Sequence, residues 1–466
     1  MKTSLSSILI LFCCLPLLAA VHKVGSTQTY PNPNALYQAN VVQAGDTILI
    51  DAETYRGNAS LAVWRADNLF IKGIGGQAKL IADGKYIHGK GIWVVKGRDN
   101  WIENIHFEGA AVPDKNGAGI RLDGIGITVR YCAFINNENG ILTSNPEEGD
   151  IVIEFCEFDQ GGHGDGFSHN LYVGRVQSLS FRFNYSHHAK IGHLLKSRAR
   201  FNVIGYNRIM DETSGFSSRL LDLPNGGFSI IIGNLLMQGP DAENSTLIGY
   251  GLEGLTTAAP NELYVINNTC VNKRPNSGIF VDIEEGTEKA IIANNIFTGG
   301  GRVHRGETAD IHHNLVLEDI DSVGFKDEVN YDYHLLSHSP AINYGTFIDP
   351  VMGISLMSIN EYEHPMMQNA RTILGEIDAG AYEYEGSTGS FQEELSTIKV
   401  YPNPVREQLF LDETNAYFKV YNAMGKVALQ GKFNQVIKVG QLNAGIYFLH
   451  VTNGAGEEKI GQFIKK

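Results

Sequence analysis

Asn268-Thr269-Cys270 and Asn295-Ile296-Phe297 belong to two copies of one recurring phrase: apolar or aromatic residues, then a small polar residue, then another apolar pair. Other copies are Asn184-Tyr185, Asn207-Arg208-Ile209, Asn234-Leu235-Leu236 and Asn314-Leu315-Val316. Upstream the phrase reads Ile105-His106-Phe107, Cys132-Ala133-Phe134 and Cys156-Glu157-Phe158. The steps between first members are 27, 24, 28, 23, 27, 34, 27 and 19 residues. Each unit holds two or three strand-like runs, such as 124–129, 151–155 and 229–232, separated by turn residues. No long stretch of helical period intervenes.

A coil of three short strands needs about 22–28 residues, and stacking coils places equivalent positions ~4.8 Å apart. The pattern therefore predicts an all-β chain, a right-handed parallel β-helix. A propeller blade would need a period of about 40–50 residues. The six asparagines from Asn184 to Asn314 are expected to form an internal ladder of hydrogen-bonded amides. Cys132 and Cys156 should fill the same slot in the preceding coils as buried thiols rather than as a disulfide.

Composition agrees with many short strands joined by tight turns. The 466 residues include 52 Gly and only 14 Pro, with 43% hydrophobic and 19% charged residues. That excludes a mainly disordered chain, and the length calls for at least two domains. A formal charge of −14 argues against a general nucleic-acid binder. Residues 1–20 read as a secretory signal: Lys2, an apolar run over 8–18, and Ala19-Ala20 for cleavage. Lipidation at Cys13 or Cys14 is the weaker alternative, because the residues before both are large. The mature chain should have no transmembrane segment. Its three cysteines, Cys132, Cys156 and Cys270, show neither a disulfide framework nor metal-like spacing.

Gly45-Asp46-Thr47-Ile48-Leu49-Ile50 resembles the first strand of bacterial right-handed parallel β-helix repeat proteins, some of them carbohydrate-active. Ser339-Pro340-Ala341-Ile342-Asn343 and Ile377-Asp378-Ala379-Gly380-Ala381-Tyr382-Glu383 resemble their closing segment. The resemblance covers roughly 30–385, and the helix domain is assigned to 21–385. A Gly/Ser linker follows at 386–390, and 391–466 is a separate module with strand patterns at 418–421, 426–430, 446–451 and 460–464. In it, Tyr401-Pro402-Asn403-Pro404 and Leu442-Asn443-Ala444-Gly445-Ile446-Tyr447 resemble the type IX secretion sorting domain of the Bacteroidetes. That resemblance implies a small β-sandwich read by the export machinery, and secretion or surface attachment; a carbohydrate-binding sandwich is the alternative.

Residues 166–210 contain seven Lys or Arg, four His and no acid, a candidate footprint for an anionic polymer; a solvated basic face or contacts to acidic loops is the bland reading. Tyr172 to Lys196 is 24 residues and Lys196 to Arg219 is 23, so one-coil steps should stack the three on an outer face. His169, Asn170, His193, Arg198, Asp222 and Asn225 lie close enough in sequence to complete a substrate-binding set. The set suits β-elimination on a uronate polysaccharide. That reaction needs donors for an enolate-like carboxylate, a base for the proton α to it, and an acid for the leaving 4-oxygen. A lysine desolvated beside other cations can be the base.

His193-Leu194-Leu195-Lys196-Ser197 with Arg219 resembles the family of alginate lyases and chondroitinase B, which implies Lys196 as base and Arg219 as acid. That family continues His-Gly-Asn after its arginine, whereas Leu220-Leu221-Asp222 follows here, so Tyr172 is the substitute acid. Gly162-His163-Gly164 reads as a turn, and the basic stretch lacks the paired carboxylates that hydrolysis needs. No cofactor is assigned with certainty; Asp123, Asp150, Asp165 and Asp222 are the residues weighed for Ca²⁺ across coils, although no ligand-dense loop gathers them. Trp64, Trp93 and Trp101 are assigned to the core rather than to sugar stacking. The expected partners are an acidic polysaccharide and the export machinery, with the chain a monomer. A non-catalytic glycan-binding β-helix, or a hydrolase or uronate epimerase on the same scaffold, are the rival functions.

Overall fold

The computed structural model describes residues 19–386, 396–411, 416–422, 426–452 and 458–465. Residues 1–18 of the stretch read as a secretory signal, and 387–390 of the Gly/Ser stretch, lie outside the described residues. The chain winds into a parallel β-solenoid of about eleven turns. Three parallel sheets run along it, of twelve, ten and eleven strands. Within a coil the chain visits the first, third and second sheet in turn, as in Ser178–Arg182, Tyr185–His187 and Leu195–Ser197. Alternation turns Ile153, Phe181 and Ile204 of the first sheet inward, where they are fully buried, while Arg182 faces out. Inside, Phe107, Phe134 and Phe158 stack with centroids 5.1 and 4.8 Å apart.

All nine repeated phrases fall at one position of the coil, just after the first sheet and at the start of the third. The amide of each asparagine from Asn184 to Asn295 donates to the next side-chain oxygen at 2.8–3.1 Å. Each backbone N–H in the row donates to the same oxygen at 2.8–3.0 Å. The Cys156 N–H continues the row onto Asn184 at 2.9 Å, and Cys132 sits one coil before. All three described cysteines are free and buried. Burial comes first in pushing the Cys270 and Cys156 thiols well above their ordinary value.

Before each ladder residue stands a left-handed one: Tyr131, Phe155, Phe183 and Tyr206 at φ 54–58°, then Gly233, Asn267 and Asn294. The four aromatics stack outside the barrel at 5.0, 5.2 and 5.4 Å. At Gly233 a Cβ would sit 2.6 Å from the Tyr206 ring, so this close approach calls for glycine.

The helix Pro33–Ala39, capped by Asn32 Oδ1 on Ala35 N–H at 2.9 Å, places Leu36 in the core at the N-terminal end. After Leu317 the chain turns back over the outer face of the third sheet. There Ala341, Ala379, Ala381 and Tyr382 of the closing phrases share a core with Met210, Leu235 and Ile296. Trp64 and Trp93 are core residues, whereas Trp101 is half-buried under the Arg130 guanidinium.

Residues 396–465 build a five-stranded and a three-stranded sheet around a core of their own that includes Leu409, Val420, Leu449 and Phe463. Asn403 of the Tyr-Pro-Asn-Pro phrase clips the last strand: its amide donates to Gln462 O at 3.0 Å and its oxygen accepts from Ile464 N–H at 2.8 Å. Tyr447 stacks on Phe463 at 5.5 Å, and its hydroxyl donates to Asn443 O at 3.0 Å.

Candidate functional site

The candidate site lies on the second sheet, on strands Leu171–Val173, Leu195–Ser197 and Leu221–Leu223. Tyr172 pairs with Lys196 in register, as the 24-residue step requires. The next step differs from expectation: Lys196 pairs with Asp222, not with Arg219. The turn over 211–220 has ten residues where the preceding coil has seven, over 188–194, and the three added residues shift Arg219 out of the column. Its backbone falls beside His193 instead, with Arg219 N–H donating to His193 Nδ1 at 3.1 Å.

Arg219 still reaches the site by its side chain. Its Nη1 donates to Asp222 Oδ1 at 3.2 Å. It crosses over Gly249, where a Cβ would lie 3.0 Å from Arg219 Cδ.

Beside this column runs a second. Asn139 Oδ1 accepts from His169 N–H at 2.9 Å, and His169 Nδ1 accepts from His193 N–H at 3.0 Å. The two imidazoles stack at 4.9 Å. Each Nδ1 is occupied as an acceptor, so each neutral ring carries its proton on Nε2 and can only donate there. Burial, followed by the neighbouring cations, pushes His193 down to about 3 and His169 well below its ordinary value. His193 Nε2 faces Asp222 Oδ2 at 3.3 Å.

Asp222 is 1% exposed and is shared by three groups: Arg219 on one oxygen, His193 and Lys196 on the other. Lys196 Nζ lies 3.1 Å from Oδ2, but off the axis of a good hydrogen bond.

Sequence reasoning missed Glu253. It stands on the loop after strand Thr246–Tyr250 and reaches back over the second sheet. Its Oε1 accepts from Lys196 Nζ at 2.7 Å and its Oε2 from Arg198 Nη2 at 2.6 Å. Burial opposes its charge, but the Lys196 and Arg198 hydrogen bonds outweigh that and hold the carboxyl at about 2. Arg198 also donates from Nε to the Tyr172 hydroxyl at 2.8 Å and from Nη1 to Asn225 Oδ1. The 34-residue step from Asn234 to Asn268 marks the oversized coil that carries this loop.

Asn170 does not join the site. It is turned into the coil, where its amide donates to Phe158 O, Ser186 Oγ and His187 O at 2.8–3.1 Å and its oxygen accepts from Gly161 N–H. The basic stretch is spread over all three sheets, and most of its cations meet acids from elsewhere. Arg182 pairs with Glu154 at 3.0 Å, Arg200 with Glu147 at 2.9 Å and Arg208 with Glu212 at 3.2 Å. The Lys196 ammonium likewise faces two carboxylates, rather than the cations expected around a free amine.

The aspartates weighed for calcium are not gathered: Asp123 pairs with Arg121, Asp150 with Ser178, and Asp222 lies among cations. Gly162 and Gly164 take φ 113° and 93°, as a turn there requires.

Residues 399–466 match the secretion system C-terminal sorting domain. No curated protein matches the chain. The sorting domain is the type read by type IX secretion, so the protein is destined for secretion or attachment at the cell surface. Among the described residues no helix is long and apolar enough to cross a membrane.

Proposed function

We propose that the protein is an exported lyase that cleaves an acidic, uronate-containing polysaccharide by β-elimination. The observation that carries the proposal is the carboxylate cradle: Lys196 and Arg198 hold the Glu253 carboxylate between them, beside the Tyr172 hydroxyl. A uronate carboxylate that displaced Glu253 would meet the same donors. Arg198 and Asn225 then orient it, and the Arg198 guanidinium stabilises it as it becomes enolate-like.

Once the Lys196 ammonium has lost its proton to solvent, the amine takes the proton α to the carboxylate. The C–H electron pair forms the new double bond as the bond to the 4-oxygen breaks. Tyr172 gives that oxygen its proton; the phenol oxygen already accepts from Arg198, so its own O–H is available to donate. Arg219, the acid implied by resemblance, is tied to Asp222 and positions that carboxylate instead. His169 and His193 act as fixed donors and spacers, not bases.

Incubation with alginate, pectate and glycosaminoglycans tests the proposal. Unsaturated ends absorbing in the ultraviolet are expected with one of them, and lost in Lys196→Ala and Tyr172→Phe. A second reading, glycan binding without turnover, is favoured by the double pairing of Lys196 with Asp222 and Glu253. Binding with no new chain ends, unchanged in Lys196→Ala, would establish it.

A further inference from the structure

On the outer face of the third sheet, away from the cradle, three atoms able to ligate a metal converge. Asp159 Oδ1 lies 3.2 Å from His187 Nδ1 and 3.1 Å from His188 Nδ1, and the two Nδ1 atoms are 2.7 Å apart. Neighbouring residues of a strand normally point to opposite faces. Here His188 ends the strand Tyr185–His187 in the left-handed conformation, φ 49°, which brings its ring round to the same point as His187.

We propose that Asp159, His187 and His188 bind a divalent transition-series cation of the Zn²⁺ class. A cation about 2.0–2.2 Å from three such atoms sets them roughly 2.9–3.5 Å apart, close to the spacing of this triangle.

The surroundings are those of a built site. His187 Nε2 faces Glu157 Oε1 at 3.3 Å and His188 Nε2 faces Glu212 Oε2 at 3.6 Å. His188 Nδ1 here shares a proton with Asp159 Oδ1 at 3.1 Å, a proton that a cation would displace; the carboxylate facing each Nε2 then keeps the remaining proton there, the outer-shell pattern of metal-ligating histidines. Glu212 is itself fixed by the Tyr185 hydroxyl and by Arg208 at 3.2 Å. The second Asp159 oxygen accepts from Gln160 at 3.0 Å, which leaves Oδ1 as a single ligand. Two imidazoles and one carboxylate favour a borderline transition metal over Ca²⁺ or Mg²⁺, which take oxygen ligands. Three protein ligands leave positions open for water or an oxygen ligand, unlike a closed structural site. The cluster stays reachable, since the His188 side chain is 21% exposed.

The test uses the full chain stripped with a chelator and titrated with Co²⁺, whose visible absorption reports ligation, followed by competition with Zn²⁺. One Co²⁺ per chain, displaced by Zn²⁺, is expected. Asp159→Asn and His188→Gln should each weaken binding about 100-fold or more, and Glu157→Gln about 10–100-fold. Lys196→Ala, on the other sheet, should bind as wild type does. His188→Gln alters a partly exposed turn residue, so it keeps the proposal testable if Asp159→Asn does not fold. No Co²⁺ band in the wild-type chain, or unchanged binding in His188→Gln, would overturn it.

Discussion

Glu253 closes a bridge between two cations that the solenoid places two residues apart: Lys196 at 2.7 Å on one oxygen and Arg198 at 2.6 Å on the other. The bridge comes from a loop, and its carboxylate is 47% exposed, so a ligand carboxylate can replace it without unfolding the coil. Glu253→Gln removes the competing charge and keeps the shape. Affinity for a uronate oligosaccharide should rise, by about 3–10-fold in calorimetry at low salt, and the gain should shrink as salt screens the exposed charges. A loss of affinity would mean that Glu253 contacts the ligand rather than holding its place. Because the carboxyl is held at about 2, acidification to pH 4 should not open the bridge.

The stacked histidines make a separate prediction about stability and pH. His193 sits at about 3 when folded, against an ordinary 6.5. Between those values the unfolded chain takes up a proton that the folded chain refuses. Stability from this group is therefore complete above pH 6.5 and lost as pH falls toward 3, by about 1.4 kcal/mol per pH unit. Burial pushes His169 in the same direction, whereas His188, raised chiefly by its hydrogen bond to Asp159, works in the opposite sense. The comparison must therefore be with a variant. Asn139 accepts a backbone N–H in the preceding coil as the histidines do, so His193→Asn preserves that acceptor. Denaturant titrations from pH 6.5 to 5 should show a slope shallower by about one proton in His193→Asn. An unchanged slope would mean that His193 protonates in the folded site.

The fold was legible because ladder residues cannot vary freely: an asparagine that bonds both neighbours leaves the same letter once per coil. All nine phrases, including Cys132 and Cys156, fall in that one slot despite steps from 19 to 34 residues. The site was less legible, since register on the second sheet is set by turn length. Three added residues before Leu221 put Asp222 where equal spacing put Arg219. Glu253 and the Asp159 cluster left no motif, because winding alone brings residues 57 and 29 apart into contact. The oversized coil and the unbalanced basic stretch were the only pointers to an acid arriving from a loop.

The ladder's central member should be among the least replaceable side chains. Asn234 accepts from Asn207 N–H and Nδ2 and donates to Asn268 Oδ1 and to Ile204 O, all buried. Asn234→Ala leaves the Asn207 N–H and one of its two amide protons without a partner, the other still donating to Phe181 O, and opens a space that the stiff coil cannot close. Unsatisfied buried groups cost about 1–3 kcal/mol each, so a loss of about 3–5 kcal/mol is expected in urea unfolding. Asn314→Ala, at the half-buried end of the row and bonded on one side by Asn295, should cost about half as much. Equal losses at both positions would show that the ladder acts as one unit rather than as a sum of local bonds.

The C-terminal sandwich should be separable from the solenoid in stability but not in export. Its core is drawn entirely from residues 398–463, and none of those side chains belongs to the clusters that hold the coils. Removing the matched residues 399–466 therefore takes away no member of the hydrophobic clusters of the described solenoid. A chain ending at Glu385 should keep the thermal midpoint of the solenoid transition within about 1 °C; a loss of about 1 kcal/mol shifts a domain of about 150–250 residues by about 2–4 °C and a longer one by less. In the native cell the same truncation should accumulate short of the surface, as fractionation would show, because the sequence read by the secretion system is gone. A fall of several degrees would mean that the sandwich braces the solenoid. Undiminished secretion would mean that the export signal lies elsewhere, and would leave Asn403 and Tyr447 with only their roles in folding the sandwich.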